Sequence, residues 1–537
     1  MPQAPPRYPA APPPASGTDH RRVVLVGGGL VGLTLALDLA RHGVAVTLLD
    51  EEDSVATGSR AICFAKRTLE IYARLGLGPR MLEKGVTWQT GRVFHGAREA
   101  FHFDLLPEAG HEYPAFVNLQ QYHVEEWLVE ACQAAGVELR WRHRVAGLAP
   151  EAAGVTLAVE TPQGPYTLRA DWLLACDGAR SAIRRALGLP FQGQVFQDRF
   201  LIADVVIRGE VGFPAERWFW FDPPFHPGQS VLLHKQPDDL WRIDFQLGWD
   251  ADPEAEQQPA RVAARVRAML GPDVPFELEW VSLYTFRCRR LDRFVHGRVV
   301  FAGDSAHQVS PFGARGGNGG VQDADNLAWK LAAVLNGSAG PGLLDSYEAE
   351  RIAAAEENIL HAMRATDFIT PKSDHARAYR DAVLDLAADH AFARALVNSG
   401  RLSRPAVLAE SPLNSADQGG WAGGAPAGAA APDAPVLCEG QPDWLLRHLG
   451  GDFGLLLFDA PDFPTPPGLR PVHVAAEARP GALWDHSGLA AARFGAMPGG
   501  AVLLRPDQHI AARLAMPDPV AVRAALERAR GGGGLVP

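Results

Sequence analysis

Residues 21–50 read RRVVLVGGGLVGLTLALDLARHGVAVTLLD. Val23, Val24, Leu25 and Val26 form a short continuous apolar run, the mark of a parallel strand buried on both faces. The run leads directly into Gly27, Gly28 and Gly29, with Gly32 three residues on. From residue 30 to residue 40 small and apolar helix formers follow, and Gly43 stands where a helix stops. Val44, Val46, Leu48 and Asp50 then alternate along a second strand. Gly27, Gly29 and Gly32 therefore spell GxGxxG inside a strand–helix–strand unit. With 55 glycines in 537 residues, the spelling alone carries little weight. Its context carries more: an apolar strand precedes it, a helix starts on it, and Asp50 closes the next strand. The glycines permit a tight turn, while the exposed N–H groups and the positive end of the helix receive a pyrophosphate. Asp50 is placed to accept both hydroxyls of an adenosine ribose. This predicts a dinucleotide site without distinguishing FAD from NAD.

Outward from that unit, 537 residues exceed one compact core, so two or three domains are expected. Hydrophobic residues at 47% and charged residues at 21% fit a folded globular chain. A net charge of -11 repels a phosphate backbone, which argues against nucleic acid as a partner. Cys63, Cys132, Cys176, Cys288 and Cys438 lie far apart without a CxxC pair. They read as reduced thiols in a cytoplasmic protein, not as disulfides or a zinc site, and no metal ligand is predicted. No long apolar run suggests a membrane span.

Residues 1–20 are Pro/Ala-rich and read as a disordered leader. Helices are expected at 66–75 and 123–135, each stopped by a glycine. Residues 155–160 and 166–168 suggest a hairpin ahead of the apolar run 172–176. Between 200 and 284 the pattern turns strand-like and rich in aromatics, including Trp218, Phe219, Trp220 and Phe221. Helical sequence resumes after Asn318. A Gly/Ala/Pro-rich stretch within 412–435 reads as a linker. The expected division is a first nucleotide-binding part at 21–190, a middle sheet at 191–285, a second nucleotide-binding part with helices at 286–411, and a C-terminal domain at 436–537.

Two more strand-to-turn-to-helix junctions follow the first. One carries Asp177, Gly178, Ala179, Arg180 and Ser181; the other carries Gly303, Asp304, Ser305, Ala306 and His307, followed by Pro311 and the glycine-rich residues 316–320. Three such turns at the carboxyl ends of strands in one sheet would converge on one long ligand. With the glycine turn, the Asp-Gly and Gly-Asp elements and the tail Asp323-Ala324-Asp325-Asn326-Leu327-Ala328-Trp329-Lys330, the sequence resembles the para-hydroxybenzoate hydroxylase and phenol hydroxylase family, over most of residues 21–370. A related 3-(3-hydroxyphenyl)propionate hydroxylase is a plausible neighbour.

The resemblance implies an α/β fold: an FAD-binding Rossmann-like domain of the glutathione-reductase type, an inserted β-sheet substrate domain and a thioredoxin-like C-terminal domain. It implies FAD as cofactor and NAD(P)H as co-substrate, with oxygen passing through a flavin C4a-hydroperoxide to a small aromatic substrate. Asp304 would bond the ribityl chain, and the loop of Gly316, Gly317 and Asn318 would approach the isoalloxazine through backbone N–H groups. Arg60, in Gly58-Ser59-Arg60-Ala61, matches an arginine near the phosphates. Gln121, opening Gln-x-x-Val-Glu, matches a glutamine near the ribityl and pyrophosphate. Asp177 and Gly178 are implicated in both FAD and NAD(P)H handling. Two departures stand out: Asp50 replaces the usual glutamate, and Ala314-Arg315-Gly316 replaces a Gln-Gly-Met or Lys-Gly-Leu sequence. Arg315 would place a cation near the flavin, with a solvated loop arginine as the alternative.

Trp241, Ile243, Phe245 and Leu247 alternate with Arg242, Asp244 and Gln246, so one face of that strand is polar and one should cover the flavin. His234 and Gln246, with Arg242, are candidates to contact a ring substituent; solvated-strand roles are the alternative. Pro311 would shape the oxygen site by its rigid ring and missing N–H. His307, beside Asp304, is expected from the resemblance in a structural or flavin-proximal position. With Cys438 as its only cysteine, the C-terminal domain reads as a packing or homodimerisation unit. The competing functions are an FAD reductase or dehydrogenase that inserts no oxygen, and a non-catalytic flavin-binding protein.

Overall fold

The computed structural model describes residues 5–14, 18–58, 60–209, 212–397, 402, 404–418, 421, 423–460 and 462–532. At its centre lies the first strand, Thr18–Val26, paired in parallel with Val46–Asp50 on one side and with Tyr166–Ala175 on the other; Val299–Phe301 continues the parallel order. Val23, Val24 and Leu25 are fully buried because both faces of this sheet are covered. For the same reason the alternation read at residues 44–50 marks no solvent face: Val46, Thr47, Leu48 and Leu49 are all buried. Helix Leu30–Arg41 packs against both Gln121–Ala134 and Arg315–Leu335. The expected hairpin is present, and the apolar run at 172–176 extends its second strand into the parallel sheet.

A second, eight-stranded sheet stands beside this unit. Its long strands Phe191–Ile207 and Phe276–Leu291 pair antiparallel, followed outward by Leu240–Leu247, Ser230–Lys235 and Arg217–Phe221. Two further strands, Thr90–His95 and Arg98–Asp104, complete the edge, although the sequence places them in the first nucleotide-binding part. Arg217–Phe221 recruits Thr90–His95 in parallel, and no local signal encodes a pairing so distant in the chain. One face of the sheet, with Trp220, Trp241, Ile243 and Phe245, packs under helix Pro259–Leu270 through Val262 and Val266. The other carries Phe200, Phe219, Phe221 and Leu232 toward Phe312 and helix Leu343–Ile369. Trp218 and Phe94 join the outer cluster, so only Phe219 and Phe221 of the aromatic run face inward.

A seven-stranded C-terminal sheet carries helix Pro519–Ala529 on one face and Leu489–Phe494 on the other. It docks on the rest of the chain through a buried charge cluster. Arg505 donates to Glu350 (Nη1 to Oε1, 2.6 Å), as does Lys330 (Nζ to Oε2, 2.6 Å), and Trp329 Nε1 donates to Asp507 at 3.0 Å. Asp325 is gripped by Arg67 and Arg74. Much of the 323–330 tail thus fastens the C-terminal sheet, and every charge in it is paired, as burial demands.

Two expectations about flexible segments are corrected. Residues 5–14 of the expected leader lie against the first unit: Tyr8 stacks on Trp141 at 4.6 Å between ring centres, and Arg7 pairs with Asp53. A proline-rich segment loses little conformational entropy on docking, so the ring stack, the ion pair and hydrogen bonds from Tyr8 N to the Asp53 carbonyl and from His143 Nε2 to the Ala11 carbonyl hold it. Residues 1–4 and 15–17 of that segment lie outside the described residues. Within 412–435, Leu413, Ala431 and Ala434 are buried, and Ser415 and Gln418 donate backbone hydrogen bonds to Ala511 and Arg513. Small side chains there permit close backbone contact with the sheet instead of free motion; 419–420 and 422 lie outside the described residues. No helix among the described residues is long and apolar enough to cross a membrane.

Candidate active site

The glycine turn is dictated by contact. A Cβ at Gly27, whose φ is +111°, would lie 2.3 Å from the Cys176 carbonyl oxygen, and one at Gly32 would lie 1.9 Å from that of Gly27. A Cβ at Gly29 would meet nothing closer than 3.6 Å, so the space before the helix is open. No side chain caps helix Leu30–Arg41 from its N-cap position. Glu125 does so from a distance, accepting from Leu30 N at 2.8 Å and Ala56 N at 2.9 Å. Burial pushes the Glu125 carboxyl up, opposed by these bonds and by Gln121. Sequence reasoning overlooked Glu125, although it closes the quoted Gln-x-x-Val-Glu; its i,i+4 position beside Gln121 is the signal. Gln121 itself accepts from Ala61 N and donates to Glu125, tying the 54–61 loop to the helix start. Asp50 accepts from Gly28 N and Glu52 N, leaving further lone pairs for a ribose.

The other two turns open at the same end of the sheet. Asp177 accepts from Ile183 N at 3.0 Å, so its carboxylate fixes the turn around Gly178, whose φ is +70°. Gly303 has φ +65° and donates to Asp323 at 2.9 Å. Asp323 also binds His307 Nε2 and Arg351 Nε, each at 2.6 Å. Burial alone would raise this carboxyl, yet the charges of His307 and Arg351 hold it at about 2. His307 is thus a structural tie, as expected. Asp304, on the same turn, is exposed; its backbone carbonyl accepts from Gln308 Nε2 at 3.3 Å, while its carboxylate accepts no hydrogen bond from any described residue. Arg60 is also exposed; Ser59 beside it lies outside the described residues.

Gly316, Gly317 and Asn318 were expected in a loop; they form the first turn of helix Arg315–Leu335. Pro311 starts the tight turn before it, its carbonyl accepting from Ala314 N at 3.0 Å, and Ala314 adopts φ +53°. Gly320 is required by packing, since a Cβ would reach Val31 Cγ2 at 2.5 Å. A Cβ at Gly317 would lie 3.4 Å from Leu30, which brings the two helix starts together. Helix starts leave N–H groups without intrahelical acceptors, here those of Arg315, Gly316 and Gly317. The Asn318 side chain is fully engaged with protein: it accepts from Ala65 N and donates to the Cys63 and Ala314 carbonyls. Arg315 is buried and donates to Asn358 Oδ1 at 3.3 Å, which overturns the solvated-loop alternative: its guanidinium folds back over Gly313.

Across from this cradle stands the inner face of the second sheet. Arg217, His234, Arg242 and Asp204 are cross-strand neighbours in one row. His234, Arg242 and Gln246 are 4%, 5% and 8% exposed, so the solvated-strand reading fails for all three: the first unit covers this face. Arg242 pairs with Asp244 at 2.9 Å and donates to the Arg60 carbonyl at 3.1 Å, bridging the sheet to the 54–61 loop. Gln246 accepts from Ser230 N at 3.0 Å and braces two strands. His234 lies with Nδ1 4.0 Å from Cys63 Sγ and edge-on to Trp88. Burial first, then the charges of Arg217 and Arg242, push its pKa well below the ordinary value, so the ring is neutral at neutral pH.

Away from this site, a cavity of about 1550 Å³ lies between the first unit and the C-terminal sheet. Several of its charged linings, among them Arg74 with Asp38 and Arg447 with Glu112, are already paired. Among the described residues Cys438, Asp443 and His448 bring possible metal-binding atoms within 4.8 Å of one another, a grouping not foreseen from sequence; Asp443 is already held by His448 and Arg447.

Three strand-end turns, two converging glycine-bearing helix starts, Asp50 at the end of the second strand and, at Asp304, a carboxylate with no partner among the described residues form the arrangement of a dinucleotide-binding protein, facing the inner wall of the second sheet. Residues 20–362 match the model of a family described as FAD binding domain. The chain belongs to that family and is an FAD-dependent aromatic monooxygenase. It is 32% identical over 534 residues to the 6-methylpretetramide 4-monooxygenase of Streptomyces rimosus, spanning 94% of this chain and 92% of that one. It is 31% identical over 363 residues to a 3-(3-hydroxy-phenyl)propionate/3-hydroxycinnamic acid hydroxylase of Mycolicibacterium smegmatis, across 67% of this chain and 64% of that one. Among solved structures it resembles the flavin-dependent monooxygenase PieE in complex with FAD and substrate, with a TM-score of 0.80 and 25% identity, covering 96% of this chain and 99% of that one.

Proposed function

We propose that this enzyme hydroxylates a multi-ring phenol, with NAD(P)H and O2 as co-substrates. The observation that carries the substrate class is extent: the likeness to 6-methylpretetramide 4-monooxygenase runs through 94% of the chain, whereas the likeness to the phenylpropionate enzyme covers 67%. The fold is read as a glutathione-reductase-type FAD domain, a middle sheet that walls the substrate, and a thioredoxin-like C-terminal domain. That last domain packs or dimerises; Cys438 is its only cysteine, so it has no dithiol for exchange. A cytoplasmic homodimer fits the reading.

The residues present fit FAD. Gly27, Gly29 and Gly32 would hold the pyrophosphate at the first helix start, with Arg60 supplying a positive charge. Asp50 would take the adenosine ribose and Asp304 the ribityl hydroxyls. The N–H groups of Gly316 and Gly317 would meet the polar edge of the flavin, while Gln121, Asp177, Gly178, Gly303 and Asn318 fix the backbone that presents them. Bound there, FAD supplies the oxygen activation that protein side chains lack. The protein excludes water with Phe219, Phe312 and their neighbours and orients the ring. Neutral His234 offers Nε2, which has no partner among the described residues, to accept a hydrogen bond from a substrate hydroxyl and make its ring carbon more nucleophilic. Pro311 and Arg315 shape the turn above the helix start, and Gln246 holds the wall. The test is oxidation of NADH and NADPH by the FAD-loaded enzyme across single-ring and polycyclic phenols, with oxygen uptake and product mass followed together. Polycyclic phenols should accelerate oxidation and gain one oxygen atom. If only single-ring compounds do so, the substrate class is wrong.

A further inference from the structure

Arg217 is the odd cation of the chamber. Arg242, its neighbour but one across the strands, is paired with Asp244. The guanidinium of Arg217 makes no hydrogen bond and no ion pair with any described residue; it lies over the ring of Phe219, 5.6 Å from the ring centre. The side chain is half-buried on the inner face of the second sheet, so it is not sealed within the core. Its cross-strand neighbour is neutral His234, and the groups whose negative charge would favour it are Cys63, whose thiol burial pushes up to about 12, and Asp244. Neither supplies a free countercharge: the thiol stays protonated and Asp244 is committed to Arg242. Burial accordingly lowers the Arg217 pKa.

A cation partly withdrawn from water and without a counterion among the described residues favours a ligand that brings the negative charge. We infer that Arg217 is a specificity-determining residue that binds an anionic oxygen of the substrate, a carboxylate or an ionised phenol or enol, and positions it beside His234. This rests on the proposed reading of the chamber as the substrate site. Guanidinium offers a forked set of donors to such an oxyanion, and the bond strengthens where water is excluded.

Binding to the FAD-loaded enzyme is read from the perturbation of the flavin spectrum, without turnover. Two matched pairs separate the sources of charge: 3-hydroxy-2-naphthoate against its methyl ester, and 4-nitro-1-naphthol above its pKa against its methyl ether. Wild type should bind the charged member of at least one pair about tenfold or more tightly than the neutral member. Arg217→Gln should erase that preference while leaving the neutral member's affinity and the FAD content unchanged, and Arg217→Lys should restore part of it. Loss on the ester pair assigns a carboxylate; loss on the ether pair assigns a phenolate. A preference that survives Arg217→Gln, or equal loss for charged and neutral members, overturns the inference, while product formation with a polycyclic phenol would leave the proposed function standing. Should the glutamine variant not fold, a wild-type enzyme that shows no preference within either pair overturns it as well. If polycyclic phenols neither bind nor gain oxygen in wild type, both readings fall.

Discussion

The nucleotide cradle and the sheet-walled chamber solve recognition by different means. The cradle, as proposed, relies largely on backbone: N–H donors at Gly29, Gly316 and Gly317 would face the cofactor together with the Asp50, Asp304 and Arg60 side chains, while Asp177, Asn318 and Gln121 hold turns in place. The chamber is made of side chains from strands far apart in sequence, where Arg217, His234 and Arg242 meet only because three strands pair in one register. Backbone recognition tolerates almost no added atom, whereas the side-chain wall can change its chemistry without changing its shape. Substrate choice can therefore vary while the cofactor site stays fixed.

Gly32→Ala attacks the cradle at its tightest contact, 1.9 Å from the Gly27 carbonyl oxygen. A loss of about 3 kcal/mol or more, with protein recovered free of flavin, is expected; thermal unfolding and the flavin-to-protein absorbance ratio would show it. Asp323→Asn strikes the tie behind the Gly-Asp turn. Because the folded-state value of about 2 lies below the ordinary 3.8, Asp323 contributes about 2 kcal/mol that is fully present above pH 4 and lost as pH falls toward 2. The gap in urea stability between wild type and variant should narrow over that window, and a constant gap would contradict the assignment. Asp304→Ala probes a cradle carboxylate that has no partner among the described residues. FAD affinity should drop about tenfold, while the apo protein's stability changes by less than about 0.5 kcal/mol; an unstable apo protein would mean that Asp304 serves the fold. His234→Gln is the gentlest and tests the chamber. With the folded-state pKa depressed, the unfolded chain takes up a proton first below about pH 6.5, so His234 makes stability fall with acid. The variant should show a shallower slope between pH 6.5 and 5, by less than about 1.4 kcal/mol per pH unit, together with slower hydroxylation at saturating substrate.

The glycine spelling and the helix at Lys66–Arg74 were legible because each depends on residues adjacent in the chain or on a local steric need; the structural place of His307, tied to Asp323, was indicated only by the family resemblance. The 316–318 segment was misjudged as loop because glycine disfavours helix by itself, and only packing against Val31 and Leu30 explains why helix forms there. The edge strands at 90–104 were misplaced because strand pairing leaves no mark on the partner's sequence.

From its sequence alone the chain determined a dinucleotide fold with three strand-end turns, since short-range sterics and a period of apolar residues specify such units locally. Only the tertiary structure decided that much of the 323–330 tail fastens the C-terminal sheet, that Glu125 caps the first helix, and that Arg217 stands beside a neutral histidine without an ion-pair partner among the described residues. Those facts depend on desolvation and on contacts between residues many positions apart, and burial, not residue type, sets what a charge in such a place must do.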